Sequence, residues 1–539
     1  MRVIVALVGG VFFRAGVANW DLWWVGFFEW VPWLWAIDGL RPRRAFCVGY
    51  ISGILAIFMG YFWMTSLMTN FAGLPLPTAL AGHLLFSAWQ GVQMAVAAAC
   101  LNAVRSRANV RLWWLLPPIW GFFELVIPSI FPTFMSLAWA FHPTLIQIAE
   151  VGGAASVSML MCAMSAALYE AWMDLQAGHR GRATRAVAVF VALVALTPAL
   201  GAWRIQQVRA EAERAPHLKV GVVQGNFGIK TYSTGRLKQR LLRELQRATT
   251  ELERQGASIA LWGETAYPYS AFARDATKDK PERDLRRIRR GFTIPVIVGM
   301  ITRDRSRENP YPWNSAWLLR SDGTLGDRYD KVFPLMFGES VPLVDPEWYL
   351  EKIPSASYMN IGKGPAVIEH DGYRLAPLIC YEDILPGYAQ QVGKLGVHAF
   401  VNLTNDSWFG KSAEQPEHLG LAIFRTVEHR KALLRAVNSG ISAFVSPTGE
   451  VIDQTEVTDS DNDGYAGAEG FVADVPMMTP ERTTIFSVLG VWGFAGVCVA
   501  WVLACLAWTR RRRQRDASAA TPMPSPTVAH DRGSADGVG

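Results

Sequence analysis

The sequence predicts a polytopic α-helical membrane domain of eight transmembrane helices joined to an extracytoplasmic α/β domain. Three observations carry that expectation. The chain of 539 residues is 51% hydrophobic, with 22 Trp and 27 Phe, and only 18% charged, which is at or above the usual globular range for apolar residues and below it for charge. Long apolar segments fill the first 210 residues and return once near the C-terminus. Between them, strand-like and helix-like stretches alternate.

The apolar segments run at roughly 2–18, 20–38, 46–69, 77–104, 112–131, 145–173, 186–204 and 485–508, most of them near the ~20 residues that a bilayer crossing requires. Arg2 followed by an apolar run over 3–13 also has the form of a signal peptide. No small-x-small cleavage site follows Arg14, so the segment is counted as a span. Arg41, Arg43 and Arg44 fall in the second loop, Arg105, Arg107 and Arg111 in the fourth, and Arg180, Arg182 and Arg185 in the sixth. The third and fifth loops carry no Lys or Arg, and the first carries only Arg14. This alternation predicts cytoplasmic termini, with 510–515 pinning the C-terminal one, and places 205–484 on the periplasmic face. The expected domains are 1–204, seven helices; 215–484, the α/β domain; 485–508, the eighth helix; and 509–539, a basic and then disordered cytoplasmic tail.

The net charge of +6 raises nucleic acid as a partner. The arginines cluster at the ends of apolar segments, not along one face with interleaved aromatics, so they read as topology signals and no nucleic acid is expected. Glu29, His83, Glu124, Glu150 and Glu170 lie in or near spans. They show no relay spacing and read as groups bonded between helices or at the interface.

In the α/β segment, strands are expected at 218–223, 258–262, 294–301, 315–319, 374–379, 398–403 and 441–445, and helices at 235–255, 282–290 and 416–437. Such alternation favours stacked layers of sheet and helix. No internal repeat, Gly-rich phosphate loop or His/Cys cluster at metal-ligand spacing is evident, and no metal or organic cofactor is expected.

Of six cysteines, five lie in long apolar segments, and Cys380 alone is in polar sequence, at the end of the buried run 375–379. A thiol at the carboxyl end of a core strand is a candidate nucleophile; the plainer reading is a small buried hydrophobe. Glu264 follows the strand 258–262, and Lys331 precedes the apolar run Val332-Phe-Pro-Leu-Met-Phe337. Carboxylate, ammonium and thiol together suit acyl transfer: the first takes the thiol proton, the thiolate attacks a carbonyl, and the ammonium meets the oxyanion. Exposed Glu and Lys are common and usually solvated, so spacing alone leaves both readings open.

The contexts Trp-Gly-Glu-Thr-Ala around Glu264, Tyr-Asp-Lys-Val-Phe-Pro around Lys331 and Ile-Cys-Tyr-Glu-Asp around Cys380 resemble the carbon-nitrogen hydrolase (nitrilase) superfamily, whose sites use a Glu-Lys-Cys triad. With eight spans flanking the domain, the chain is similar to the apolipoprotein N-acyltransferases over residues 1 to about 508. Phe337-Gly-Glu-Ser-Val-Pro342, Asn405-Asp-Ser-Trp-Phe-Gly-Lys411 and the run from Glu417 through Arg425 to Asn438 add to the likeness.

The resemblance implies a nitrilase-like αββα sandwich and a ping-pong acyltransferase of the bacterial inner membrane. Cys380, deprotonated by Glu264, would take an acyl chain from a phospholipid, with phosphatidylethanolamine the usual family donor. Lys331 would stabilise the oxyanion. The diacylglyceryl-cysteine amine of an apolipoprotein would then accept the chain. Glu339 would orient Lys331 or the base, Glu382 the acyl carbonyl, with Tyr381 beside them. Phe337, Trp408 and Phe409 are candidates for lining the acyl path. Two departures stand out: Gly263 replaces the family proline, and Thr231-Tyr232 stands where the family often has Lys-Trp. The alternatives are a membrane-anchored amidase or nitrile hydrolase with water as acceptor, and a transporter or scaffold, which would show paired broken helices.

Overall fold

The computed structural model describes residues 1–15, 22–108, 110–228, 235–269, 272–305, 310–341, 344–352, 357–456 and 467–519, with side chains to 515. Thr231, Tyr232, Pro342 and the tail beyond 519 lie outside them.

Among the described residues, five helices are long and apolar enough to cross a membrane: Pro42–Gly60, Leu76–Arg105, Ala149–Gln176, Arg180–Arg214 and the C-terminal helix from Ile485. Leu112–Val126 is a shorter apolar helix. The second expected span takes another form: Trp30–Ile37 has only 8 residues, about 12 Å at 1.5 Å per residue, against a hydrocarbon core of about 30 Å, while Arg2–Ala15 is helical up to the edge of the described residues. Arg14 proves not to be a loop charge: it is buried inside its helix.

The seventh segment runs ten residues past its expected end, to Arg214. The sequence after 204 is polar but free of Gly and Pro, so the helix continues until Pro216. Helix Ala149–Gln176 breaks at Gly152 and Gly153, the latter at φ 67°, a backbone angle open to Gly at little cost.

Beyond Arg214 the chain forms two facing sheets. The first contains β1 (His217–Gln224), β2 (Ile259–Trp262), β3 (Phe272–Ala273), β4 (Val296–Arg303), β5 (Trp313–Leu319) and β6 (Leu325–Asp330). The second contains β7 (Ile368–His370), β8 (Tyr373–Ile379), β9 (Ala399–Thr404), β10 (Ala432–Val437), β11 (Ala443–Val445) and β12 (Val451–Gln454). The last strand, β13 (Glu469–Pro476), returns to the first sheet, antiparallel to β1 with His217 opposite Pro476. Strand orders are β13-β1-β2-β4-β5-β6, with β3 on β4, and β12-β11-β10-β9-β8-β7. β1, β2 and β4 run parallel, as do β8, β9 and β10.

Helix Gly235–Arg254 covers the first sheet; Pro386–Gly393 and Glu414–His429 cover the second. The layers are therefore helix, sheet, sheet, helix. Each apolar sheet face is buried on both sides, which explains why β9 and β10 are buried at every residue.

Two expected helices are corrected. Residues 282–290 form turns, because the Asp279 carboxylate accepts the backbone N–H of Ile288 and Arg289 and offers the backbone an alternative to helical bonds. The stretch 416–437 is a helix followed by a strand. Arg430, at φ 52°, ends the helix, and Ala432–Val437 then pairs in parallel with β9.

The α/β part is seated on the helical part by buried polar contacts. The Glu428 carboxylate accepts the Ala154 N–H at 3.0 Å, where the glycine break has freed that donor. Arg430 and Arg204 both bond Glu150. The other ionisable residues of the spans are also structural in their contacts. His83 bonds Thr65, Glu124 accepts from Trp120, Met135 and Ser158, and Glu170 accepts the Leu112 N–H. Glu29 is buried without a hydrogen-bond partner among the described residues.

Candidate active site

Three loop positions, each just past the end of a strand, converge between the sheets. Glu264 follows β2, Lys331 follows β6, and Cys380 follows β8. The end of β2 reaches across to the second sheet, where the Glu264 N–H donates to the Thr404 carbonyl at 3.3 Å. Gly263 permits this approach: a Cβ there would lie 2.8 Å from Asn438 N. Where the family has proline, this chain has packed two backbones together, so the glycine tightens the junction between the sheets.

The Lys331 ammonium donates to Glu264 Oε1 at 3.1 Å and Glu339 Oε2 at 2.7 Å. Asn314 Nδ2 bridges the same two carboxylates, at 2.6 and 3.1 Å. The lysine backbone is held from both sides, its N–H by the Asn314 carbonyl and its carbonyl by the Gly362 N–H, each at 2.8 Å. Glu264 and Lys331 are only 4% and 2% exposed, so their charges interact in a poorly screened setting.

Cys380 is buried and held at φ 51°, a conformation that costs a side-chain-bearing residue of order 1–3 kcal/mol. Burial, then the Glu264 charge, pushes its thiol well above the ordinary range, while Lys331 opposes. Burial also raises the Glu264 carboxyl, against the pull of Lys331. Burial lowers Lys331, but Glu264 and Glu339 more than offset it, and the amine stays protonated. The resting site is thus a neutral thiol beside a cation shared by two acids. In this arrangement a carboxylate can take the thiol proton as sulfur attacks, and an ammonium can meet a developing oxyanion.

Glu382, expected to orient the acyl carbonyl, has both carboxylate oxygens engaged by the protein itself. Oε1 accepts the N–H groups of Val332 and Phe333 at 2.6 and 3.0 Å; Oε2 accepts the Ile379 N–H and the Tyr329 hydroxyl, both at 2.7 Å. Its role in the structure is to tie the segment after Lys331 to the strand before Cys380.

An apolar pocket opens at the thiol, and its wall comes from both parts of the chain. Tyr61, Trp63 and Phe131 belong to the helical part; Leu335, Phe409 and Leu421 to the α/β part. The Tyr381 hydroxyl donates to the Ile130 carbonyl, and its ring meets Phe131 edge-on at 5.8 Å. Phe409 packs on Trp63 at 5.2 Å and Trp408 on Phe71 at 4.1 Å. Phe337 stands apart, 53% exposed and outside this pocket.

Residues 219–461 match the family described as carbon-nitrogen hydrolase, and residues 9–167 match the apolipoprotein N-acyltransferase N-terminal domain. The chain is 25% identical to the apolipoprotein N-acyltransferase of Geobacter metallireducens over 498 residues, 90% of this chain and 91% of that one. It is 27% identical to that of Gloeobacter violaceus over 518 residues, 91% of each. The chain belongs to the apolipoprotein N-acyltransferase family. A solved amidase from Nesterenkonia sp. is similar at 18% identity over 50% of this chain and 94% of its own, with a TM-score of 0.34.

In this N-acyltransferase, several site groups were not singled out from sequence. Asn314 is the second residue of β5, with no motif to mark it. Tyr329 shares its hydroxyl with Glu382 and Tyr388. Beneath Cys380 lies a buried ionic cluster. Arg435 donates to Asp383 at 2.6 Å and Asp406 at 3.0 Å, and His418 bridges the same two acids at 2.9 and 3.2 Å. Burial and Arg435 push the His418 imidazole down, but Asp383 and Asp406 hold it protonated.

Asp406, Glu414 and His418 are the one group among the described residues at metal-ligand spacing. Two cations set among these acids account for the arrangement by ion pairing. The signal was present in sequence, since Asp383 and Asp406 stand inside quoted motifs. Their partners His418 and Arg435 stand in the run from Glu417 to Asn438, and only the fold brings the four together.

Proposed function

We propose that this N-acyltransferase works through a thioester on Cys380. The thiol proton passes to Glu264 as sulfur attacks the ester carbonyl of a phospholipid, phosphatidylethanolamine in this reading, and Lys331 meets the oxyanion. Collapse expels the lysophospholipid alkoxide, which takes the proton back from Glu264. The neutral α-amine of a diacylglyceryl-cysteine then attacks the thioester, Glu264 receives its proton, and collapse releases the amide and regenerates the thiol. Glu339 and Asn314 position Lys331 and Glu264, and Glu382 positions the loop that carries the lysine.

The observation that carries this reading is the apolar pocket at Cys380, walled in part by Tyr61, Trp63 and Phe131 of the helical part. The pocket is small, about 30 Å³, so its aromatics must part to admit an acyl chain, but the apolar lining they share with the helical part matches one. Water as acceptor gains nothing from it, so transfer is favoured over amide or nitrile hydrolysis.

The accompanying topology puts both termini in the cytoplasm and residues 205–484 on the periplasmic side of a bacterial inner membrane, with domains at 1–204, 215–484, 485–508 and 509–539. A reporter active only outside the cytoplasm should be silent after Arg515 and active in the segment 455–463, of which 457–463 lie outside the described residues. For the activity, the detergent-purified protein is incubated with labelled phosphatidylethanolamine and a diacylated lipopeptide. The lipopeptide should gain one amide-linked acyl chain by mass; free fatty acid without acylated peptide would overturn transfer.

A further inference from the structure

At the end of the helical part farthest from Cys380 lies a cleft of about 1140 Å³ walled by arginine and tryptophan. Its location follows from the C-terminal helix. Ser487 near the start of Ile485–Ala519 accepts from Gln390 of the α/β part; the helix breaks at Gly490, and Trp508 lies about 27 Å beyond that break at 1.5 Å per residue, close to one hydrocarbon thickness. Helix Arg180–Arg214 runs the other way, delivering Arg214 to β1 and leaving Arg182 and Arg185 at the cleft.

Six arginines from four separate stretches line the cleft, and they divide into two sets. Arg105 pairs with Asp38, and Arg111 with Asp174 at 2.7 Å and Glu170 at 3.7 Å. Arg182, Arg185, Arg512 and Arg513 have no acidic partner among the described residues, and all four are exposed. The first turn of helix Arg180–Arg214 holds no acid, and its N-cap makes no side-chain bond, so the positive end of that helix adds to the same field. Charge bias at a membrane face explains the presence of basic residues; it does not explain their convergence on one cleft from the sequence-distant ends of two helices.

The rest of the wall indicates what fills it. Trp114, Trp501 and Trp508 stand in it, Trp114 against Trp501 at 5.8 Å and Arg512 over Trp508 at 5.5 Å. Tryptophan at the ends of spans marks the level of the lipid headgroups, and basic pockets between spanning helices suit anionic headgroups. We propose that this cleft binds an anionic phospholipid, its phosphate held between Arg182/Arg185 and Arg512/Arg513 and its glycerol and upper chains against the tryptophans. The site is separate from the acyl pocket and does not depend on the transfer reaction.

The test uses the full chain in zwitterionic mixed micelles with phosphatidylglycerol, phosphatidylcholine or inorganic phosphate added. Retained lipid is counted by native mass spectrometry and thermal stability is measured alongside. Phosphatidylglycerol should be retained on the wild type and raise its melting temperature; phosphatidylcholine and phosphate should do neither. Arg182→Gln/Arg185→Gln and Arg512→Gln/Arg513→Gln should each reduce retention several-fold. Arg43→Gln/Arg44→Gln, an equal charge loss outside the cleft, should leave it intact.

If phosphate alone reproduces the shift, the site takes a free anion and the lipid assignment fails. Retention unchanged in both cleft pairs, or reduced equally by the Arg43/Arg44 pair, overturns the site. The two cleft pairs lie on different helices, so one carries the test if the other fails to fold.

Discussion

The Arg14 guanidinium lies 3.6 Å from the Glu417 carboxylate, with both side chains almost completely buried. Arg14 comes from the first helix and Glu417 from the helix that covers the second sheet. Trp63 donates to the same carboxylate at 3.2 Å, and Arg14 stacks over Tyr61 at 4.8 Å. The pair therefore ties the first helix to Glu417, which lines the apolar pocket at Cys380. Removing one partner of a buried pair strands the other, at a cost of about 3–5 kcal/mol. Arg14→Ala should lower the melting temperature sharply, and a melt unchanged within error would contradict this pairing.

Burial raises the Glu417 carboxyl to about 7, against the pull of Arg14. A carboxyl whose folded pKa exceeds its unfolded value favours the folded state most at low pH, and that contribution is lost as pH rises from about 4.5 through about 7. Glu417→Gln keeps the shape without titrating. Stability of the wild type relative to Glu417→Gln should therefore fall across that window, as read from paired melts at several pH values. A constant difference would show that the carboxyl is not raised.

Thioester formation requires only the donor. Phospholipid without acceptor should add one acyl mass to the peptide containing Cys380, and the adduct should disappear with hydroxylamine or on addition of diacylated lipopeptide. Cys380→Ala should abolish adduct and activity while the protein still inserts and purifies. Acylation on Cys47, Cys100 or Cys162 would reassign the nucleophile.

The reactivity of the thiol has a predicted order. Burial and Glu264 push the Cys380 pKa up and Lys331 holds it down. Alkylation of Cys380 by iodoacetamide should therefore begin at lower pH in Glu264→Gln than in the wild type, and at higher pH in Lys331→Met. Peptide mass spectrometry across a pH series gives the order, and a reversed order would remove Glu264 as the thiol's facing base.

Phe409 and Phe337 should separate. Phe409 is 9% exposed against Trp63 and lines the pocket, so Phe409→Ala should cost about 3–5 kcal/mol, the usual range for a buried phenylalanine, as well as activity. Phe337→Ala, at an exposed position, should leave the melt unchanged. Comparable losses of stability in both would place Phe337 in the core as well.

How much of this was legible depends on the range of the interactions. Helix Gly235–Arg254 and strands β1, β2, β4, β5, β8 and β9 are local in origin, set by periodicity and bounded by turn residues. Glu264 and Cys380 were legible because they stand directly after such strands; Lys331 follows β6, which is not expected from sequence, and is marked only by the apolar run after it.

What could not be read was set by partners distant in sequence. The strand Ala432–Val437 reads as a continuation of the helix before it until β9 is beside it. Glu382 looks like a substrate contact until Val332, Phe333 and Tyr329 claim its oxygens. Arg14 looked like a loop charge because Glu417 is remote from it in the sequence. The second apolar segment has the same origin: hydropathy over 20–38 records that it is apolar, but not that Trp23–Phe27 folds as a 3-10 turn and Trp30–Ile37 as an 8-residue helix.

β1 and β13 lie side by side, with His217 opposite Pro476, and each leads directly to a membrane helix. The catalytic layer is thus moored on two adjacent posts, and the Glu428–Ala154 and Arg430–Glu150 contacts supply further anchorage away from them. Posts and anchors together fix the depth of Cys380 relative to the spanning helices. Under the proposed mechanism that fixed depth makes the protein a gauge: ester bonds at the matching height in the leaflet reach the sulfur, and a thicker or thinner bilayer should change which carbonyl is presented.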